Sequence, residues 1–164
     1  MMKHLYLGWM CLLVSLGGAL AAPAEVKPAH DAKLALYELY REAGSYTLHV
    51  QFDREAILNT LMAECPGLPN VEDCLTRYVA RNLQLTLDEQ QASLSLDKLE
   101  YVDDHVQVVF TLSDNLPAEP GHVAVEIHTL LHLEEQYNIF RVMFGPRVRS
   151  FQLNQARVKT QFDL

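Results

Sequence analysis

Two hydrophobic rhythms alternate along the chain and divide it into strands and helices. Residues 32–41 and 46–52 are rich in Leu, Val and Tyr on either side of Glu-Ala-Gly-Ser, which predicts two strands of a hairpin turning at Gly44. The period then changes. Asp53 is placed to cap a helix carrying Glu55 in its first turn and Ile57, Leu58, Leu61 and Met62 at helical spacing, with Pro66 and Gly67 ending it. Asn70 can cap a second helix, with Val71, Leu75, Tyr78 and Val79 on one face.

From Leu83 the period of two returns. Leu83, Leu85 and Leu87, then Leu94, Leu96 and Leu99, then Val106, Val108, Phe110 and Leu112 mark three strands, with turn chemistry at 88–91 and at Asp103-Asp104. After a loop at 117–121, Val123, Val125, Ile127, Thr129, Leu131 and Leu133 alternate with Glu126, His128, Leu130, His132 and Glu134, which predicts one long strand. Two further strands form a hairpin around Gly145-Pro146. A loop of 145–147 puts Phe140, Val142, Phe144 and Val148 on one face and Arg141, Met143 and Arg149 on the other. Residues 158–162 form a last short strand. Strands of this kind need a second layer to bury their apolar faces. The expected fold is therefore α+β, a mostly antiparallel β-sandwich of about 8–9 strands with a helical pair inserted after the second strand.

The N-terminus does not belong to that pattern. Lys3 precedes an apolar run from Leu5 to Leu16, and Ala19 and Ala21 supply the small residues a signal peptidase requires. The apolar run is too short to span a bilayer. Residues 1–21 are thus expected to be a signal peptide, 22–31 a polar leader and 32–164 a single exported domain, periplasmic or otherwise outside the cytoplasm, with no stable membrane span after cleavage. Loss of Cys11 with the signal leaves Cys65 and Cys74, which in an oxidising compartment are expected to form a disulfide joining the end of the first helix to the first turn of the second.

The formal net charge of −8 disfavours nucleic acid as a partner. The charge is uneven, however. From Gln136 onward, Arg141, Arg147, Arg149, Arg157 and Lys159 face a single acid, Asp163. Candidate ligand- or partner-binding residues are accordingly Gln136, Asn138, Arg141, Arg147 and Arg149. Candidate metal ligands are His30, His105, His128 and His132, but on a strand His128 and His132 stand about 13 Å apart, too far to share one ion. Asp103-Asp104-His105 reads first as a turn. There is no Gly-x-Ser-x-Gly elbow, no phosphate-cradling glycine loop and no reactive cysteine context.

Several short segments together resemble a family of small exported bacterial proteins known as a domain of unknown function. They are His30, Glu38, Val50-Gln51-Phe52-Asp53, the stretch 78–85, Gln136-Tyr137-Asn138-Ile139 and Arg149-Ser150-Phe151. The resemblance spans nearly the whole mature length. The chain departs from it in having Asp31-Ala32 after the histidine and a cysteine pair of its own. Because no activity is assigned to that family, the resemblance implies a fold and nothing more. The expected function is an exported non-catalytic module that binds a protein or small ligand without a cofactor, or serves as an accessory subunit. The alternative is a domain that binds a divalent metal, or hydrolyses with one, through the histidines.

Overall fold

The computed structural model describes residues 34–67, 70–145 and 147–164. The expected signal peptide, the leader and His30 lie outside the described residues. The elements run β1 (Leu34–Glu42), β2 (Ser45–Asp53), α1 (Arg54–Glu64), α2 (Val71–Asn82), β3 (Leu83–Leu87), β4 (Gln90–Gln91), β5 (Leu94–Val102), β6 (His105–Leu112), β7 (His122–Ile127), β8 (Tyr137–Phe144), β9 (Arg147–Leu153) and β10 (Lys159–Asp163). They form a six-stranded sheet in the order β5-β6-β2-β1-β8-β9 and a four-stranded sheet in the order β10-β7-β3-β4. All pairings are antiparallel except β1 with β8. The mostly antiparallel α+β sandwich, with its helices after the second strand, is the fold the rhythm predicts.

Local chemistry sets the boundaries. Ala43 and Gly44 turn β1 into β2 with φ of 50° and 85°, and Asp88 and Glu89 turn β3 into β4 with φ of 47° and 67°. A two-residue hairpin turn requires that region; Gly44 and Asp88 enter it readily, and the turn holds Ala43 and Glu89 in it. Asp53 accepts from the Ala56 amide at the start of α1, and Asn70 from the Glu72 amide at the start of α2, so both expected caps form. Along α1, Ile57, Thr60 and Leu61 are buried, whereas Met62, expected on the apolar face, is 68 % exposed. Val71 on α2 is likewise exposed, while Cys74, Leu75, Tyr78 and Val79 pack inward. Cys65 and Cys74 are disulfide-bonded, with their Cα atoms 6.2 Å apart.

The long strand expected over 123–134 stops at Ile127, and the reason is the end of its partners. Ile127 pairs with Leu83, the first residue of β3, and Glu126 with Lys159, the first of β10. Beyond that point the His128 amide bonds the carbonyl of Asn82, the last residue of α2, at 2.7 Å. The chain must also cross from the four-stranded to the six-stranded sheet to begin β8. Residues 128–136 make that crossover as a run of tight turns, in which Thr129, Leu130 and Leu131 are buried in succession rather than alternately. Leu130 adopts φ of 59°, a conformation costing about 1–2 kcal/mol for a residue with a Cβ. Side chains from the core hold it there. Tyr78 Oη accepts from the Leu130 amide at 2.8 Å, Asn138 Nδ2 donates to the Thr129 carbonyl at 3.2 Å, and the Tyr37 hydroxyl bonds Thr129 Oγ1.

Burial pushes the Tyr37 phenol far above its usual value, against the opposing hydrogen bond from Thr129, and burial likewise raises Tyr78. A tyrosine with a raised folded pKa stabilises fully below the unfolded value of about 10, and that contribution is lost as pH climbs past it. Alkaline titration of stability is therefore expected to show a decline beginning near pH 10. Tyr37→Phe should flatten it by about 1.4 kcal/mol per pH unit. Urea melts between about pH 9 and 11.5, with phenolate absorbance followed in parallel, measure both quantities.

Candidate functional site

The β8–β9 hairpin differs from expectation by one residue, and that residue changes which side chains face inward. Phe144 pairs with Arg147, so the connection begins at Gly145 (φ 62°) and is one residue shorter than the expected loop. Arg149 consequently opposes buried Val142, and Phe151 opposes buried Phe140. Arg149 thus shares the inner face with Phe140, Val142 and Phe144, while Val148, expected inside, is 55 % exposed. The parity of Phe151 and Leu153 decides the register: Leu153 is fully buried and Phe151 stacks on Phe162 of β10 at 4.5 Å between ring centres. Two apolar side chains outweigh one.

The result is a cavity of about 270 Å³ at the mouth of the sandwich, lined by Arg41, Glu119, Pro120, Val142, Phe144, Arg149 and Leu164. Arg41 occupies an inward position of β1, two residues beyond fully buried Leu39. Its guanidinium lies 5.7 Å from the Phe144 ring centre and donates to the Ala118 carbonyl at 2.8 Å. The Arg149 guanidinium lies 5.4 Å from the ring of Phe162. Tyr46 donates to the Pro117 carbonyl at 2.6 Å and packs 5.8 Å from Phe144, which pins the 113–121 loop over the opening. Burial raises the Tyr46 phenol despite the nearby Arg41 charge.

Among the described residues, neither Arg41 nor Arg149 has a carboxylate within ion-pair distance. An inward arginine on an edge strand such as β9 is a known device against edge-to-edge pairing. That account does not reach Arg41, because β1 is flanked by β2 and β8. Two guanidiniums supported on aromatic faces, at an opening with apolar walls and one acid, Glu119, have the chemistry to pair with a carboxylate-like group.

The remaining sequence candidates fall in other places. Arg141 points to the opposite face of the sheet, where it donates to Glu38 at 3.2 Å; Glu38 also accepts from Tyr40 at 2.9 Å. Arg147 is paired to Phe144 through its backbone, and its side chain lies outside the described part. Arg157 donates to Thr160. The C-terminal arginines are therefore distributed over both faces instead of forming one basic surface. Gln136 and Asn138 lie at the other end of β8, buried at 4 % and 0 % exposure. Asn138 is consumed in holding the crossover, whereas Gln136 Oε1 has no hydrogen-bond partner among the described residues.

The histidines do not gather. His105 bonds its neighbour Asp104 at the β5–β6 turn, and that turn also gives two carbonyls to Arg54, so Asp103-Asp104-His105 is a turn that ties down the start of α1. His128 bonds Glu126 at 2.6 Å at the end of β7. The 13 Å strand separation expected for His128 and His132 does not apply to the crossover, in which His132 turns toward α1 and lies 3.4 Å from Thr60 Oγ1. Among the described residues no group of three or more His, Cys, Asp or Glu side chains could hold a metal ion.

Arg41 is the candidate site residue that periodicity missed. Its signal was an arginine in phase with Ala35, Tyr37 and Leu39, all buried. Compared with known proteins, the chain matches no family model and no curated sequence. Among the described residues no helix is long and apolar enough to cross a membrane.

Proposed function

We propose that the chain is an exported, non-catalytic binding module, related to the exported bacterial family it resembles, and that its mouth cavity takes an acidic group presented by a partner protein. The observation that carries this reading is the pair Arg41 and Arg149, both inward, both resting on aromatic rings and both without a carboxylate partner among the described residues. The apolar walls, Val142, Phe144 and Leu164, suit a Leu or Phe side chain next to the carboxylate. The cavity is close to the lower end of the range for small-ligand pockets, which favours a side chain over an extended molecule. Export is supported by the signal-like N-terminus and is consistent with the Cys65–Cys74 disulfide, a bond characteristic of oxidising compartments.

An acidic peptide alternating Leu, Phe and Glu is the probe, read by calorimetry. The double variant Arg41→Ala/Arg149→Ala is expected to bind it about 10- to 100-fold more weakly, the loss from removing charge-assisted hydrogen bonds. Raising salt from about 0.05 to 0.5 M should weaken the wild type in the same direction. Arg141→Ala, whose guanidinium is already held by Glu38 on the other face, should bind as the wild type does. Equal binding by the double variant and the wild type would refute the assignment of this cavity.

A further inference from the structure

The mouth cavity contains one lining group that an acidic ligand by itself does not explain. Glu119 lines it together with Arg41 and Arg149, and among the described residues its carboxylate makes neither a hydrogen bond nor an ion pair. A ligand offering only a carboxylate is repelled by that group. The lining therefore presents three kinds of chemistry at once: two guanidiniums without a carboxylate partner, an apolar wall of Val142, Phe144 and Leu164, and one acceptor. Arg41 is half-buried and Pro120 is buried, whereas Glu119, like Arg149, is exposed. The acceptor thus stands at the outer rim, and whatever donates to it faces solvent.

An acidic side chain in the interior of a peptide meets these requirements poorly. In an extended segment neighbouring side chains leave on opposite faces, so a Glu next to a Leu cannot send both inward. A Glu two positions from a Leu stands about 7 Å away, with peptide groups between them that apolar walls leave unpaired. The last residue of a chain has no such difficulty. It carries a carboxylate, a side chain and an amide N–H on one Cα, one group for each part of the lining. The volume of about 270 Å³, small for a ligand pocket, also suits a single residue.

We propose, building on the assignment of this cavity to an acidic group, that the group is the C-terminal α-carboxylate of a partner chain ending in Leu or Phe. The guanidiniums of Arg41 and Arg149 take the carboxylate, Val142, Phe144 and Leu164 take the side chain, and the terminal amide N–H donates to Glu119 at the rim. Free leucine brings a similar set of groups. The exposed position of Glu119 favours the partner chain, because it leaves the nitrogen end facing outward, where a preceding chain can continue.

The test is calorimetry of the oxidised protein with acetyl-Gly-Ser-Gly-Ser-Leu carrying a free C-terminus, so that the ligand is varied and the fold is not. This peptide is expected to bind. Its C-terminal amide, the free acid ending in Ser, and the amidated form of the alternating Leu, Phe and Glu peptide should each bind about tenfold more weakly or less, through loss of the charge, of the apolar contact, or of their junction on one Cα. N-methylation of the terminal Leu nitrogen should cost the wild type about 3- to 10-fold and leave Glu119→Ala unaffected. Binding of the amidated acidic peptide, lost in Arg41→Ala/Arg149→Ala, with no preference for the free acid would overturn the terminal-residue assignment while the cavity kept its acidic ligand. Binding of none of the peptides would overturn both. Free leucine binding as tightly as the peptide would overturn a partner chain as the source.

Discussion

Asn138→Ala is expected to lower the stability of the fold by about 2–4 kcal/mol, the sum of a buried carbonyl left unpaired and a small cavity. Asn138 is fully buried on the inner face of β8, at the point where the chain has just arrived from the other sheet. Its Nδ2 donates to the Thr129 carbonyl at 3.2 Å. Thr129 is itself fully buried, so no solvent can replace that bond after truncation. The loss propagates, because Thr129 Oγ1 also bonds Tyr37, and the next residue, Leu130, holds a left-handed conformation that only its neighbours enforce. A domain of this size commonly has about 5–15 kcal/mol in total, so the variant should melt far below the wild type. Urea denaturation of the two proteins under one buffer is the measurement. A loss under about 0.5 kcal/mol, the level of an ordinary surface substitution, would show that the crossover is held by packing alone.

The same crossover marks where the sequence stops being readable by periodicity. β1, β2, β3 and β6 are legible because each alternates against a buried face, and both helices because a capping Asp53 or Asn70 stands before a change of period. Alternation continues in the letters through Thr129, Leu131 and Leu133, yet strand pairing requires partners, and β3 and β10 both begin opposite the end of β7. Where a neighbour starts is a fact of the whole fold, so a local pattern could not show that Ile127 would be the last paired residue. The doubled Leu130-Leu131 was the one local sign, since a half-buried strand does not bury consecutive residues.

The candidate sites follow the same division. Register on β9 is decidable in principle from Phe151 and Leu153, but around the turn itself a loop one residue longer segregates apolar from basic residues more cleanly, and it places Arg149 outside. Correcting that slip brings Arg149 to the mouth of the sandwich beside Arg41, which comes from a strand more than a hundred positions earlier. Such a pairing depends on the parallel association of β1 with β8, which sequence spacing does not encode. Gln136 was visible as a polar residue before a strand; that its oxygen would be buried and unpaired was not.

Removing the disulfide should have an effect of similar size. In the chain-entropy account, closing the short loop from Cys65 to Cys74 contributes about 2.5–3 kcal/mol, so Cys65→Ser/Cys74→Ser is expected to melt roughly 8–12 °C lower than the oxidised protein. Local structure argues against a smaller value. Cys65 caps α1 and Cys74 lies in the first turn of α2, so the bond joins two helices otherwise connected by a loop containing Pro66 and Gly67. α1 buries only Ile57 and Leu61 among its hydrophobics, with Ala56 and Leu58 packing partly against the core, a small apolar face for docking a helix of this length. α2 carries Tyr78, whose hydroxyl secures Leu130, so loosening the helical pair also loosens the crossover and, through Asn138, the start of β8. Amide exchange should therefore quicken in the double variant at α1, α2 and 128–136, with β2, β6 and the β8–β9 turn less affected. Thiol alkylation of the native protein gives the matching control: the mature chain should show no free thiol until it is reduced. A double variant with unchanged melting temperature would mean that the helices dock without the bond, and the fold would then owe nothing measurable to an oxidising compartment.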